Sequence, residues 1–254
     1  MTTRPPGSFS WVDLGTPDVA AAAAFYGTLF GWTAHVSPLP DAGGYTILNK
    51  DGQAVAGAGP LSDDDQPTAW SSYVATDDAD AVAERVGAAG GKVLMAPTDV
   101  LEQGRMAVFL DRAGAAFSVW QPGRNGGAQL FDSPGSLYWN ELTTRDVTGS
   151  KEFYGAVFGW GAKDSPMGDY SYTEWELAGR SVGGMMPMVG DEWPADLPAH
   201  WMVYFAVADC DASAARSAEL GGRVSVPPTD TPQGRFAVLN DPHGAFFSVI
   251  APAS

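Results

Sequence analysis

Trp11-Val12-Asp13-Leu14 is followed by Asp18, by Phe25-Tyr26-Gly27 and by Phe30-Gly31-Trp32. The same succession returns 128 residues later as Trp139-Asn140-Glu141-Leu142, Asp146, Phe153-Tyr154-Gly155 and Phe158-Gly159-Trp160. Further along, Gly90-Gly91-Lys92-Val93 matches Gly221-Gly222-Arg223-Val224, and Pro97-Thr98-Asp99 matches Pro228-Thr229-Asp230. The endings match too: Asp111, Gly114 and Phe117-Ser118-Val119 against Asp241, Gly244 and Phe247-Ser248-Val249. The offset drifts only from 127 to 131, so small loop insertions separate two copies of one unit. A period this long marks duplicated domains and excludes solenoid repeats of roughly 20–50 residues. The expected domains are residues 1–122 and 136–254, with residues 123–135 as linker, where Pro122-Gly123-Arg124-Asn125-Gly126-Gly127 is the clearest breaker cluster.

Within each half, strand and helix signals alternate. In the first, Phe9, Trp11 and Asp13 alternate with Ser10, Val12 and Leu14 in a strand; Thr16-Pro17-Asp18 then supplies a turn and an N-cap for an Ala-rich helix ending near Gly31. Strands are expected around 44–49 and 53–58, then at 70–76, followed by a helix capped by Asp78 or Asp80 and stopped at Gly90-Gly91. Strands near 92–96, 105–111 and 115–120 complete the half. Each half therefore reads as βαβββ twice over, four modules in all.

Composition narrows the function. Thirty carboxylates against fourteen Lys and Arg give a formal net charge of −16, which repels a phosphate backbone or an anionic leaflet. Nucleic acid and membrane are thus not expected as partners, and a neutral or cationic small molecule is. Cys210 is the single cysteine and has no intrachain partner for a disulfide. No apolar run reaches the ~18 residues of a membrane span and the start lacks a secretory core, so a cytoplasmic protein is the expectation.

The module order, with Phe-Tyr-Gly and Phe-Gly-Trp closing the first helix and an Asp-x-x-Gly turn before the last strand, resembles the vicinal oxygen chelate (VOC) superfamily. That group includes glyoxalase I, bleomycin and fosfomycin resistance proteins and extradiol dioxygenases. The likeness is greatest to actinobacterial tandem-domain proteins often labelled glyoxalase-like or hydroxylase. The resemblance implies an α+β fold of two tandem VOC domains, each of paired βαβββ modules forming a half-open, eight-stranded barrel around a ligand cavity. It also implies inward ligand positions on the first, fifth and last strands, filled by His, His and Glu in metal-dependent relatives. Here those positions fall on Trp11, Ser71 and Ser118 in the first half and on Trp139, Met202 and Ser248 in the second. Indole cannot coordinate through its N–H, and neutral Ser and a thioether are poor ligands for hard divalent cations. His35, His200 and His243 lie elsewhere. No cofactor is therefore expected, and a divalent metal held by atypical ligands is the alternative.

Residues two apart on a strand share a face. The inward set then comprises Trp11, Asp13, Ser71, Tyr73, Ser118 and Trp120 in the first half. In the second it comprises Trp139, Glu141, Met202, Tyr204, Ser248 and Ile250. Asp13 and Glu141 are the candidate acid–base groups, and Trp11, Tyr73, Ser118, Trp120, Trp139, Met202, Tyr204 and Ser248 the candidate ligand contacts. An aromatic face with one carboxylate suits an aromatic or cationic organic metabolite. Alternatively the carboxylates pair with Arg105, Arg145 or Arg235 as scaffolding, and the aromatics are plain core. Phe25-Tyr26 and Phe153-Tyr154 are expected in the core, and Cys210, flanked by Asp209 and Asp211, is expected to be inert. His200 shares the parity of Met202 and is the histidine placed to reach the second cavity. Gly57-Ala58-Gly59-Pro60 and Gly183-Gly184 are expected between strands, without the following helix a phosphate site needs. The competing functions are drug or metabolite binding, a metal-free lyase, isomerase or hydroxylase-like activity, metal-dependent glyoxalase or dioxygenase chemistry, and a structural role for one half. Either a monomer of pseudo-dimeric domains or a homodimer fits the duplication.

Overall fold

The computed structural model describes residues 4–38, 40–63, 65–191 and 193–253. The first half runs β1 (Phe9–Thr16), α1 (Val19–Phe30), β2 (Thr33–Val36), β3 (Thr46–Lys50), β4 (Gln53–Pro60), β5 (Ala69–Ala75), α2 (Ala79–Ala88), β6 (Lys92–Val100), β7 (Gly104–Leu110) and β8 (Ala116–Pro122). The second runs β9 (Leu137–Thr144), α3 (Val147–Phe158), β10 (Gly161–Met167), β11 (Tyr170–Leu177), β12 (Arg180–Pro187), β13 (His200–Ala206), α4 (Cys210–Glu219), β14 (Arg223–Thr231), β15 (Gly234–Asn240) and β16 (Phe246–Pro252). These are two tandem α+β domains, each with an eight-stranded mixed sheet. The strand orders are β2-β3-β4-β1-β5-β8-β7-β6 and β10-β11-β12-β9-β13-β16-β15-β14. Parallel pairing joins β1 to β4 and β5 to β8, and likewise β9 to β12 and β13 to β16.

Helix boundaries follow local chemistry. Asp18 and Asp78 cap α1 and α2 by accepting from Ala21 N and Ala81 N, and Asp146 and Asp209 do the same for α3 and α4. Helices α1 and α3 stop at Gly31 (φ 73°) and Gly159 (φ 72°), the left-handed conformation that glycine adopts without a Cβ penalty. Asp80, the other capping candidate for α2, instead pairs with Arg105.

Three features depart from the sequence reading. Strands β2 and β10 carry no hydrophobic alternation, since β2 is exposed throughout, and their existence depends on the pairing β3 and β11 offer. Strands β6 and β14 run past Pro97 and Pro227-Pro228, with register shifts along the way, because as sheet edges they tolerate residues without an N–H. The glycine pairs expected between strands lie inside β4 and β12.

By compactness the chain divides along different lines from its repeat. One unit comprises the chain up to Trp11, Ser72–Gly127 and Trp139–Met202; the other comprises Val12–Ser71, Ala128–Tyr138 and the chain from Val203. Each unit thus takes one module from each half and has its own apolar core. Phe109, Phe117, Phe153, Tyr154 and Trp175 centre the first, and Leu14, Tyr26, Leu48, Phe205 and Phe247 the second. Phe9, expected to share a face with Trp11, enters the first core, where its ring lies 5.7 Å from Trp160 and 5.0 Å from Trp201.

The motifs that carried the resemblance meet inside these units. Asp111 Oδ1 accepts from Ala113 N and Ala115 N, closing the Asp-x-x-Gly turn, and its Oδ2 accepts from the Tyr154 hydroxyl. Asp241 repeats this with His243 N, Ala245 N and the Tyr26 hydroxyl. The tyrosines expected in the core are there, and each joins modules from different halves.

Candidate functional site

The strand neighbours of the candidate ligand residues build the two apolar cores. Tyr73, Ser118, Trp120, Met202, Tyr204, Ser248 and Ile250 are all buried, and their strand neighbours Val74, Val119, Val203, Phe205 and Val249 belong to the two core groups. Trp11 is buried and Trp139 half-buried.

Within the unit holding Ser72–Gly127, Tyr73 pairs in register with Ser118, and Ala75 with Trp120. Trp120 is fixed at both ends: its Nε1 donates to Asn125 O at 2.8 Å, and its six-membered ring lies over Gly104, where a Cβ would overlap it. In the other unit Tyr204 pairs with Ser248, and the Phe236 ring lies 6.3 Å from that of Tyr204. Ser248 Oγ is fully buried and has no hydrogen-bond partner among the described residues. Asp13 falls in a different unit from Tyr73, Ser118 and Trp120, and Glu141 in a different unit from Tyr204 and Ser248.

Both carboxylates are held by tyrosines that the sequence reading did not select. The Tyr45 hydroxyl donates to Asp13 Oδ2 at 3.1 Å, and the Tyr172 hydroxyl donates to Glu141 Oε2 at 2.8 Å. Trp139 Nε1 in turn donates to the Tyr172 hydroxyl at 2.9 Å. Glu141 is 8% exposed, Asp13 half-buried. The signal was present: Tyr45 and Tyr172 stand at the repeat offset of 127, as do Gly57 and Gly184 over which they lie.

The arginines weighed as scaffolding partners are committed elsewhere. Arg105 binds Asp80 and Asp99, and Arg235 binds Asp211 and Asp230, each carboxylate within 3.0 Å. Arg145 donates to the carbonyls of Leu197 and Pro194. His200 Nδ1 lies 2.9 Å from Pro198 O, and burial pulls its pKa below the usual histidine value. Cys210 is buried, and burial followed by the charge of Asp211 pushes its thiol up to about 11.

These residues do not fit a metal. The family's ligand positions hold indole, hydroxyl and thioether groups, and no group of three His, Cys, Asp or Glu able to hold an ion occurs among the described residues. No helix of the described residues is long and apolar enough to cross a membrane.

The fold and its duplicated motifs define a VOC protein. The profile of the Glyoxalase/Bleomycin resistance protein/Dioxygenase superfamily matches residues 8–119 and 137–249, and the chain belongs to that family as a tandem-domain member. It is 46% identical over 266 residues to the anthracycline biosynthesis protein DnrV of Streptomyces peucetius, covering 98% of this chain and 95% of DnrV. Among solved structures, the Mn(II)-bound glyoxalase from Novosphingobium aromaticivorans superposes with a TM-score of 0.67 at 20% identity, over 98% of this chain and 83% of that one. The 2,3-dioxygenase LapB from Pseudomonas sp. KL28 gives 0.66 at 12% identity, over 100% and 94%. At these identities the two structures share the fold. The protein is thus a small-molecule-binding member of the fold with an aromatic candidate face.

Proposed function

We propose that the protein binds a planar aromatic organic molecule bearing a cationic group, without a metal, the indoles and phenols stacking on its rings and Asp13 or Glu141 accepting from its ammonium. The observation carrying this is Glu141: a carboxylate buried beside Trp139 and receiving the Tyr172 hydrogen bond. A buried carboxylate gains most from a cationic hydrogen-bond donor, and an indole face attracts the same charge. The likeness to DnrV, named for anthracycline biosynthesis, supports a polycyclic aromatic of that chemical class. Conversion of the ligand by proton transfer at the same pair is a second reading, favoured by the phenol–carboxylate hydrogen bond.

Titration of tryptophan fluorescence with an amine-bearing anthracycline tests the proposal. Saturable quenching at micromolar concentration supports it, and an unchanged signal refutes it.

A further inference from the structure

We propose that Gly184 with Tyr172, and Gly57 with Tyr45, are positioning residues that fix Glu141 and Asp13 as acceptors for a ligand ammonium; this rests on the binding function proposed above. Gly184 is the register partner of Glu141 on the adjacent parallel strand, and Gly57 is that of Asp13. Tyr172 stands on β11, beyond β12, so its hydroxyl reaches Glu141 only by passing over the middle strand. Neighbouring strands lie about 4.8 Å apart, so the Tyr172 side chain, the hydrogen bond and the Glu141 side chain together bridge two such spacings. Any side chain on β12 at that point blocks the crossing: a Cβ at Gly184 would overlap the Tyr172 hydroxyl and come within 2.8 Å of Trp139 Nε1. The first half repeats the device. A Cβ at Gly57 would overlap the Tyr45 hydroxyl, and one at Gly59 would stand 3.2 Å from the Tyr45 ring.

The hydrogen bonds have a fixed direction. An indole N–H can only donate, so the Tyr172 oxygen accepts from Trp139, and the Tyr172 hydroxyl donates to Glu141. Both hydrogens of the chain therefore point toward the carboxylate, which is presented as an acceptor. An acceptor so oriented favours a cationic N–H donor over its neutral counterpart by roughly ten- to hundredfold.

The test compares an amine-bearing anthracycline with its N-acetylated, uncharged counterpart on wild type, Tyr172→Phe, Tyr45→Phe, Gly184→Ala and the Tyr172→Phe/Gly184→Ala double variant, with circular dichroism confirming the fold of each. In wild type the cation is expected to bind roughly tenfold or more tightly. Tyr172→Phe, which keeps the ring, should reduce that preference while leaving affinity for the neutral compound unchanged. Gly184→Ala should reduce the preference as well, and the double variant should lose no more of it than Gly184→Ala alone. Full retention of the preference in both Tyr→Phe variants overturns the inference while leaving the binding function standing. Absence of binding of either compound to wild type removes the binding function itself, and the inference with it.

Discussion

The Tyr154 hydroxyl donates to Asp111 Oδ2 at 3.0 Å across 43 residues of sequence, and accepts from Trp201 Nε1 at 2.8 Å. Tyr26 stands in the same relation to Asp241 at 3.2 Å and Trp70 at 3.0 Å. Both phenols are fully buried, and burial, then the adjacent carboxylate, raises each well above the ordinary tyrosine value, so they stay neutral donors. Tyr154→Phe leaves a buried carboxylate oxygen and a buried indole N–H without this partner. The expected loss is about 2–4 kcal/mol, with a similar loss for Tyr26→Phe. Urea denaturation measures both.

His200 gives stability a pH dependence of known sign. Burial lowers its folded pKa below 6.5, so between that lowered value and 6.5 the unfolded chain binds more protons and stability rises with pH. The contribution is complete above 6.5 and is lost as pH falls through the folded value. His200→Gln should flatten the difference in urea midpoint between about pH 5.5 and about pH 7.5. An equal difference in wild type and variant would show that His200 does not cause it.

Cys210 should be unreactive in the native protein. Its thiol sits at the start of α4, where the helix dipole favours a thiolate, but burial and then Asp211 push it up to about 11. Labelling by a disulfide reagent at neutral pH should proceed only at the rate of unfolding, and a fast native phase would contradict the burial seen here.

The arginines at the starts of β7 and β15 should leave ligand affinity unchanged when substituted. Arg105 and Arg235 each bridge two carboxylates. Arg105→Gln and Arg235→Gln should therefore retain wild-type binding of the amine-bearing anthracycline in the fluorescence titration. A large loss in either would reassign that arginine to ligand contact.

What could be read from the sequence followed the range of the interactions. Asp18 and Asp146 are legible as caps because each bonds an amide three residues away. Trp139 and Glu141 are legible as one face because a strand alternates. Tyr172 was not, since its role depends on β11 pairing beyond β12 and on a gap at Gly184, read from the sequence as loop. The Asp-x-x-Gly turn showed its local half, the backbone amides, and hid the tyrosine that binds its other oxygen from 43 or 215 residues away. Strand β2, exposed at all four residues, carried no pattern to read.

Metal-free binding of a cationic aromatic is measured by titration calorimetry on chelator-treated protein. The amine-bearing anthracycline should bind at micromolar concentration, with the same affinity before and after adding Mn(II), and Glu141→Gln should weaken it by roughly tenfold or more. Binding that arises only after Mn(II) is added, or a Glu141→Gln variant indistinguishable from wild type, would contradict the account.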